Sequence, residues 1–221
     1  MPKGLLLALL NVQNPDIILQ VPLESIRYFI PNEALKPIFG QEKVKKTKTP
    51  GFIWEGDWDR EVLDLNEHFE EYSTSYRSVF QIFDEGLHYQ QSDEYKEKAQ
   101  LIRKGIYSVR GKTEDELNSY FEKLEKLKKT IEISGYRSQG ELGEKKIHDE
   151  IGVFVDRNGN LIKAEDDFSG THRFAIAKVL NLPSVYINVV AIHRKWAEDH
   201  VSDLIEGRQN LVEKFNRSKY V

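Results

Sequence analysis

The stretch from Ile151 to Ile162 constrains this chain more than any other. Ile151-Gly152-Val153-Phe154-Val155 is a short, β-branched apolar run, and Leu161-Ile162 begins a second one. Between them lies Asp156-Arg157-Asn158-Gly159-Asn160, whose Asn-Gly pair tolerates the left-handed backbone of a tight hairpin turn. Two strands are therefore predicted to pair here. Helical spacing resumes from Phe174 to Leu180, Pro183 breaks it, and Val185 to Ala191 reads as a further strand. A hairpin, a helix and a strand in that order point to a mixed sheet covered by helices, an α+β class.

Asp166-Asp167-Phe168-Ser169-Gly170-Thr171-His172-Arg173 joins the hairpin to the helix. Gly170 allows close backbone approach, and free N–H groups at a helix start attract anions. Thr171 adds a hydroxyl, His172 an imidazole suited to proton transfer, and Arg173 a planar fork that grips two oxygens. The residue types converge on a phosphate site, with an ordinary helix start as the structural alternative. His193 and Arg194 follow the last predicted strand, as a substrate-binding pair or a surface basic cluster.

Further towards the N-terminus, Ile17 to Leu23 reads as a first strand, with Pro22 marking an edge. Lys43, Lys45, Lys46 and Lys48 form a basic run, either a solvated loop or an arm that meets a phosphate-bearing substrate. In Gly56-Asp57-Trp58-Asp59, the two aspartates stand two apart and face the same way in an extended segment. Such a pair binds Mg²⁺ or serves as a base, and an aspartate also caps a following helix. Val62 to Gly86 is predicted helical, with Phe69, Tyr72, Tyr76, Phe80 and Phe83 as a core stripe. Ser92 is a candidate N-cap for Asp93 to Lys104, Thr113 with Glu116 makes a capping box, and Gly135 ends the helix they open. Ala197 to Phe215 reads as a terminal amphipathic helix.

Composition narrows the chemistry. The 221 residues are 39% apolar and 31% charged, ordinary for a soluble protein with a sizeable core. A net charge of −4 argues against a general nucleic-acid binder. The absence of cysteine removes disulfides, thiolate zinc sites and a cysteine nucleophile, and fits a cytoplasmic protein. Gly4 to Leu10 is too short to span a bilayer and reads as a buried segment or a signal-like one. Neither Gly-rich nucleotide fingerprint occurs, nor does Gly-x-Ser-x-Gly, and the six histidines lack helical metal-ligand spacing.

The order of these parts resembles the ParB/sulfiredoxin superfamily. The helix ending at Gly135-Tyr136, the Ile151–Val155 strand, the Asn158-Gly159 hairpin, the Gly170-Thr171-His172-Arg173 box and the Val185–Val190 strand carry the likeness. Ile18 to Ile26 looks like the family's opening strand and turn. Gly56 to Asp59 and His193-Arg194-Lys195-Trp196 are similar to runs in an uncharacterised ParB-like group. That group usually has Asp-Gly-x-His-Arg, whereas here Ser169 displaces the acid to Asp166 or Asp167.

The resemblance implies one ParB-like domain over residues 1–221, with its core at 17–30 and 124–192. A small mixed sheet carries a helical insertion at about 60–123 and a C-terminal helix at about 197–216. It also implies that Gly170, Thr171, His172 and Arg173 grip nucleotide phosphates. Sulfiredoxin chemistry needs a cysteine, and partition proteins carry a helix-turn-helix module after the box, for which few residues follow here. The reading that results is a kinase using ATP or another nucleoside tri- or diphosphate. Its acceptor is a small hydroxyl-bearing molecule or glycan precursor. Asp57 and Asp59 are the candidate Mg²⁺ ligands or base, Glu24 a second base by its place in the fold, and His172 an acid–base group. A nucleotide-gated interaction module and a nuclease or DNA-binding factor are the alternatives.

Overall fold

A computed structural model describes residues 17–39, 53–106, 110–143, 150–164 and 170–200. Its centre is one mixed sheet of β1 (Ile17–Pro22), β2 (Ile26–Ile30), β3 (Ile53–Trp54), β4 (Leu63–Asp64), β5 (Ile151–Val155), β6 (Leu161–Ala164) and β7 (Ser184–His193). The strand order is β1-β7-β5-β6-β2-β4, and β3 also pairs with β7. The helices are α1 (Asn32–Phe39), α2 (Leu65–Tyr72), α3 (Thr74–Phe83), α4 (Asp93–Arg103), α5 (Glu114–Ser134), α6 (Thr171–Val179) and α7 (Arg194–Asp199). The α+β class stands. Among the described residues no helix is long and apolar enough to cross a membrane. The Gly4–Leu10 run, the Lys43–Lys48 run, Asp166 to Ser169 and the chain after His200 lie outside the described residues.

The hairpin forms where its turn chemistry places it. β5 and β6 pair antiparallel, Val155 opposite Leu161. Asp156 Oδ1 accepts from the N–H groups of Asn158 and Asn160, both at 2.8 Å, and Gly159 takes φ +87°. Parallel to β5 on its other side runs β7. β1 is an outer strand, and Pro22 stands opposite Ser184 at its end.

Side chains alternate between the two faces of β5 and β6. Val153, Val155 and Leu161 join the larger core with Phe69, Tyr76, Phe121 and Phe174, beneath α2 to α6. Phe154, Ile162 and Ala164 join a second core with Trp54, Trp58, Ile30 and Leu35. The sheet therefore separates two apolar layers, and each ionic group described below belongs to one of them.

The long helical stretch predicted from Val62 to Gly86 is two helices. Ser73 interrupts it: its backbone is extended, and its Oγ accepts from the Tyr76 N–H at 3.0 Å, capping α3. Of the predicted aromatic stripe, Phe69 and Tyr76 are core and Phe80 and Phe83 pack against it half-buried, while Tyr72 is exposed. Phe69 is ringed by Phe29 at 5.0 Å and Tyr76 at 4.8 Å between centroids. Ser92 precedes α4 but does not cap it; its hydroxyl donates back to the Tyr89 carbonyl at 2.7 Å. The cap comes from α3. Gln81 Oε1 accepts from the Asp93 N–H at 2.9 Å, and Ser78 Oγ from the Glu94 N–H at 2.7 Å. This cross-helix cap draws the start of α4 inward and places Glu94 in the interior.

α6 begins where Gly170, at φ +84°, presses against the start of β5. A Cβ there would stand 2.6 Å from Glu150 O and from Ile151 Cα. Gly170→Ala is thus expected to lose about 3 kcal/mol or more, from backbone strain and the unavoidable clash. Urea unfolding measures this, with Gly140→Ala as a comparison, since a Cβ at Gly140 meets nothing closer than Ser138 Oγ at 3.8 Å.

Candidate active site

The Gly-Thr-His-Arg side chains do not converge. Consecutive residues on an α-helix fan out by about 100° each, so three in a row cannot share one target. Thr171 is buried, and Lys163 Nζ stands 3.4 Å from its Oγ1. Lys163 is wholly buried in β6 and donates to the Ala164 carbonyl at 2.6 Å. Arg173 also turns inward. Its Nε donates to Tyr136 Oη at 3.1 Å and its Nη2 to the Arg137 carbonyl at 2.5 Å, while Glu150 Oε2 lies 3.7 Å away. The guanidinium lies over the Tyr136 ring at 4.6 Å, and burial pushes the Tyr136 hydroxyl up to about 12 against the pull of that charge. Arg173 thus ties α6 to the loop after α5.

His172 points the other way, into the helical layer. Its Nε2 is 2.8 Å from Glu94 Oε2. Glu94 is fully buried, and Ser75 Oγ and Arg110 Nε both donate to its Oε1 at 2.9 Å. Burial pushes this carboxyl up, but the charges and hydrogen bonds of His172 and Arg110 outweigh it and bring it from an ordinary 4.5 down to about 2. An ionised carboxylate only accepts hydrogen bonds, so His172 Nε2 carries a proton. In the neutral imidazole Nδ1 is then an acceptor. It lies 3.2 Å from Tyr120 Oη: the neutral ring accepts from that hydroxyl there, and the imidazolium donates to it. Tyr120, His172 and Glu94 thus form a hydroxyl–imidazole–carboxylate chain drawn from α5, α6 and α4. The Arg110 guanidinium sits 5.0 Å from the centre of the Tyr120 ring.

This chain ends at a cleft of about 390 Å³, lined by Arg110, Gly111, Lys112, Glu116, Ser119, Tyr120 and Lys123. Three cations line it with one carboxylate, that of Glu116, which accepts from the Lys112 N–H at 2.7 Å. Thr113 Oγ1 caps α5 by accepting from the Glu116 N–H, but the predicted return bond to the Thr113 N–H goes to Lys112 instead, so the capping box forms only in half. The volume lies within the range of small-molecule sites, about 300–1,000 Å³. A basic cleft whose wall includes Tyr120, with the His172 imidazole in contact behind its hydroxyl, can bind an anionic ligand and offers a route for a proton.

Asp57, Asp59, His193 and Arg194 come together elsewhere. Trp58 packs edge-on against Phe154, in the second core, so these residues lie across the sheet from His172. Asp57 to Arg60 is not extended but enters a tight 3-10 turn. Both oxygens of Asp59 accept from Arg157 Nε, at 3.0 and 2.9 Å, and Oδ2 also accepts from the Arg157 N–H at 2.8 Å. Asp57 Oδ1 takes Arg157 Nη2 at 2.8 Å and Arg60 Nε at 2.9 Å. Burial acts to raise the Asp59 carboxyl, and the Arg157 hydrogen bonds override it and lower it. The pair does not fit a Mg²⁺ site, because the ion would have to displace a bidentate guanidinium. Among the described residues no group of three or more histidines, aspartates or glutamates stands ready to hold a metal ion.

His193 caps α7, accepting from the Lys195 N–H at 3.0 Å, while its Nε2 meets the Gly56 carbonyl at 2.9 Å. Arg194 pairs with Glu55 and, at 2.8 Å, with Glu198. Glu24 is exposed on the short turn between β1 and β2.

No protein-family model, curated protein or solved structure matches the chain. Glu94, Arg110, Tyr120, Lys163 and Arg157 were all missed by the sequence reading. Lys163 had a signal: period-two alternation puts it on the same inward face as Leu161. Glu94 had none, because an acid in the first turn of a helix reads as a surface residue favoured by the helix dipole.

Two stability predictions follow from these ionic groups. The folded value of Glu94 lies below its unfolded one, so its contribution is complete above about pH 4.5 and disappears as pH falls towards 2. At about 1.4 kcal/mol for each pH unit the wild type should lose about 3 kcal/mol over that window, and Glu94→Gln should not. Urea unfolding at several pH values compares them. Arg157→Ala should cost about 3 kcal/mol in the same assay, since it leaves the Asp59 side chain, 1% exposed, with only the backbone N–H of residue 157 and the His193 imidazole at 3.9 Å as partners.

Proposed function

We propose that this chain is a phosphotransferase that takes a nucleoside triphosphate and phosphorylates a small hydroxyl-bearing molecule or glycan precursor. The observation that carries this reading is the Tyr120–His172–Glu94 chain opening on the Arg110, Lys112 and Lys123 cleft. Phosphoryl transfer asks a protein mainly for positioning and charge neutralisation, together with a route for one proton. The cleft supplies cations for the phosphates, and His172 Nδ1 supplies the proton route.

The order of β5, hairpin, Gly170–Arg173, α6 and β7 also supports a ParB/sulfiredoxin-like reading. The phosphate role moves, however, from the whole box to His172 and the cleft beside it. Arg173, anchored to Tyr136 and Arg137, is assigned a structural task.

An ATP-consumption screen over hydroxylated metabolites and glycan precursors, in buffer containing Mg²⁺, tests the assignment. Replacing both Lys112 and Lys123 by Ala is expected to weaken nucleotide binding about tenfold or more, as charged hydrogen bonds contribute about 1.5–3 kcal/mol each. His172→Ala should lower turnover by about 10²–10⁴-fold, the usual contribution of a general base. Absence of nucleotide binding, or full turnover in His172→Ala, contradicts the proposal. Binding without any turnover assigns the cleft to a nucleotide-gated interaction module instead.

A further inference from the structure

Tyr120 stands in an unusual position. A core tyrosine needs only some partner for its hydroxyl, and any carbonyl would serve. This one lines an open cleft, and its hydroxyl is held by an imidazole whose far nitrogen is fixed by a buried, ionised carboxylate. That is the arrangement that turns a weak hydroxyl into a nucleophile: attacking oxygen, proton acceptor, and an anion that orients and stabilises the imidazolium. Ser119 lines the same cleft, but the hydroxyl with the imidazole at hydrogen-bond distance belongs to Tyr120. Arg110 adds a fixed charge, because its guanidinium donates to Glu94 and lies over the Tyr120 ring, 5.0 Å from its centre. A cation there stabilises negative charge as it develops on the phenolic oxygen.

We propose that Tyr120 is itself phosphorylated, as a covalent intermediate of the transfer. The inference rests on the nucleotide reading of the cleft. In the first step the Tyr120 oxygen attacks the terminal phosphorus of a nucleoside triphosphate. A new O–P bond forms, the bond from that phosphorus to the bridging oxygen breaks, and the nucleoside diphosphate leaves with the electron pair. The phenolic proton passes to His172 Nδ1, and the imidazolium is held by Glu94 through Nε2. In the second step an acceptor hydroxyl attacks the same phosphorus and the Tyr120 oxygen leaves. That oxygen recovers the proton from His172 Nδ1, and the acceptor's proton goes to solvent. His172 and Tyr120 are the catalytic residues of this scheme, and Glu94 is a positioning residue.

The test uses the full chain with ATP labelled in its terminal phosphate, quenched before acceptor is added, and peptide mass spectrometry to locate the label. The expected result is a gain of one phosphoryl group on Tyr120 and exchange of labelled ADP into ATP without acceptor. Tyr120→Phe should lose both while still binding nucleotide. Turnover with no label on Tyr120, with label on another residue, or undiminished in Tyr120→Phe overturns this inference and leaves the phosphotransferase reading standing. Failure to bind ATP at all removes both. If Tyr120→Phe does not fold, the labelled position in the wild type decides the matter alone.

Discussion

A carboxylate withdrawn from water costs several kcal/mol unless its charge and lone pairs are met. Glu94 is such a group, and much of the helical layer is arranged to meet it. From α3, Ser75 Oγ donates to the carboxylate and Ser78 Oγ accepts from the Glu94 backbone N–H. Arg110, just ahead of α5, gives a charged hydrogen bond, and His172 in α6 gives another. These partners fix how α3, α4 and α6 meet, and they hold the imidazole in one tautomer. The packing of the helical layer and the tautomer of His172 therefore depend on the same group. An uncharged residue in place of Glu94 would relieve its burial and leave His172 without a defined orientation.

A second ionic centre answers the first across the sheet. Arg157, at the tip of the β5–β6 hairpin, clasps Asp59 and Asp57, while Trp58 packs on Phe154 beneath them. This clasp ties the Gly56–Asp59 run to the hairpin and, through His193 and the Gly56 carbonyl, to the end of β7. It accounts for two aspartates flanking a tryptophan without any ligand. The two centres stand on opposite faces of the sheet: the first joins helices to one another, and the second joins the hairpin to the Gly56–Asp59 run.

What could be read from the sequence follows the range of the interactions involved. The β5–β6 hairpin was legible because Asp156, Asn158 and Gly159 settle their own turn. The start of α5 was legible because Thr113 and Glu116 cap it locally. Most of the aromatic stripe was legible as core, but the exposure of Tyr72 and the break at Ser73 were not, since helical spacing continues through them. Glu94 was hidden because its partners stand 16, 19 and 78 positions away, and only the fold joins them. The inward turn of Arg173 could have been anticipated, because residues 171, 172 and 173 fan around a helix and cannot share one target. Asp57 and Asp59 do reach a common partner, a guanidinium, but through a 3-10 turn and not through the extended alternation that their spacing was read from.

The central claim is that Glu94 holds the proton of His172 on Nε2 and leaves Nδ1 to take the proton of Tyr120. Nitrogen NMR of the His172 imidazole tests this most directly, with Glu94→Gln and Tyr120→Phe to assign the two nitrogens. The account predicts that the neutral ring carries its hydrogen on Nε2, and that Tyr120→Phe perturbs the Nδ1 signal most. A neutral ring protonated on Nδ1, or an Nδ1 signal indifferent to the loss of the Tyr120 hydroxyl, would contradict it.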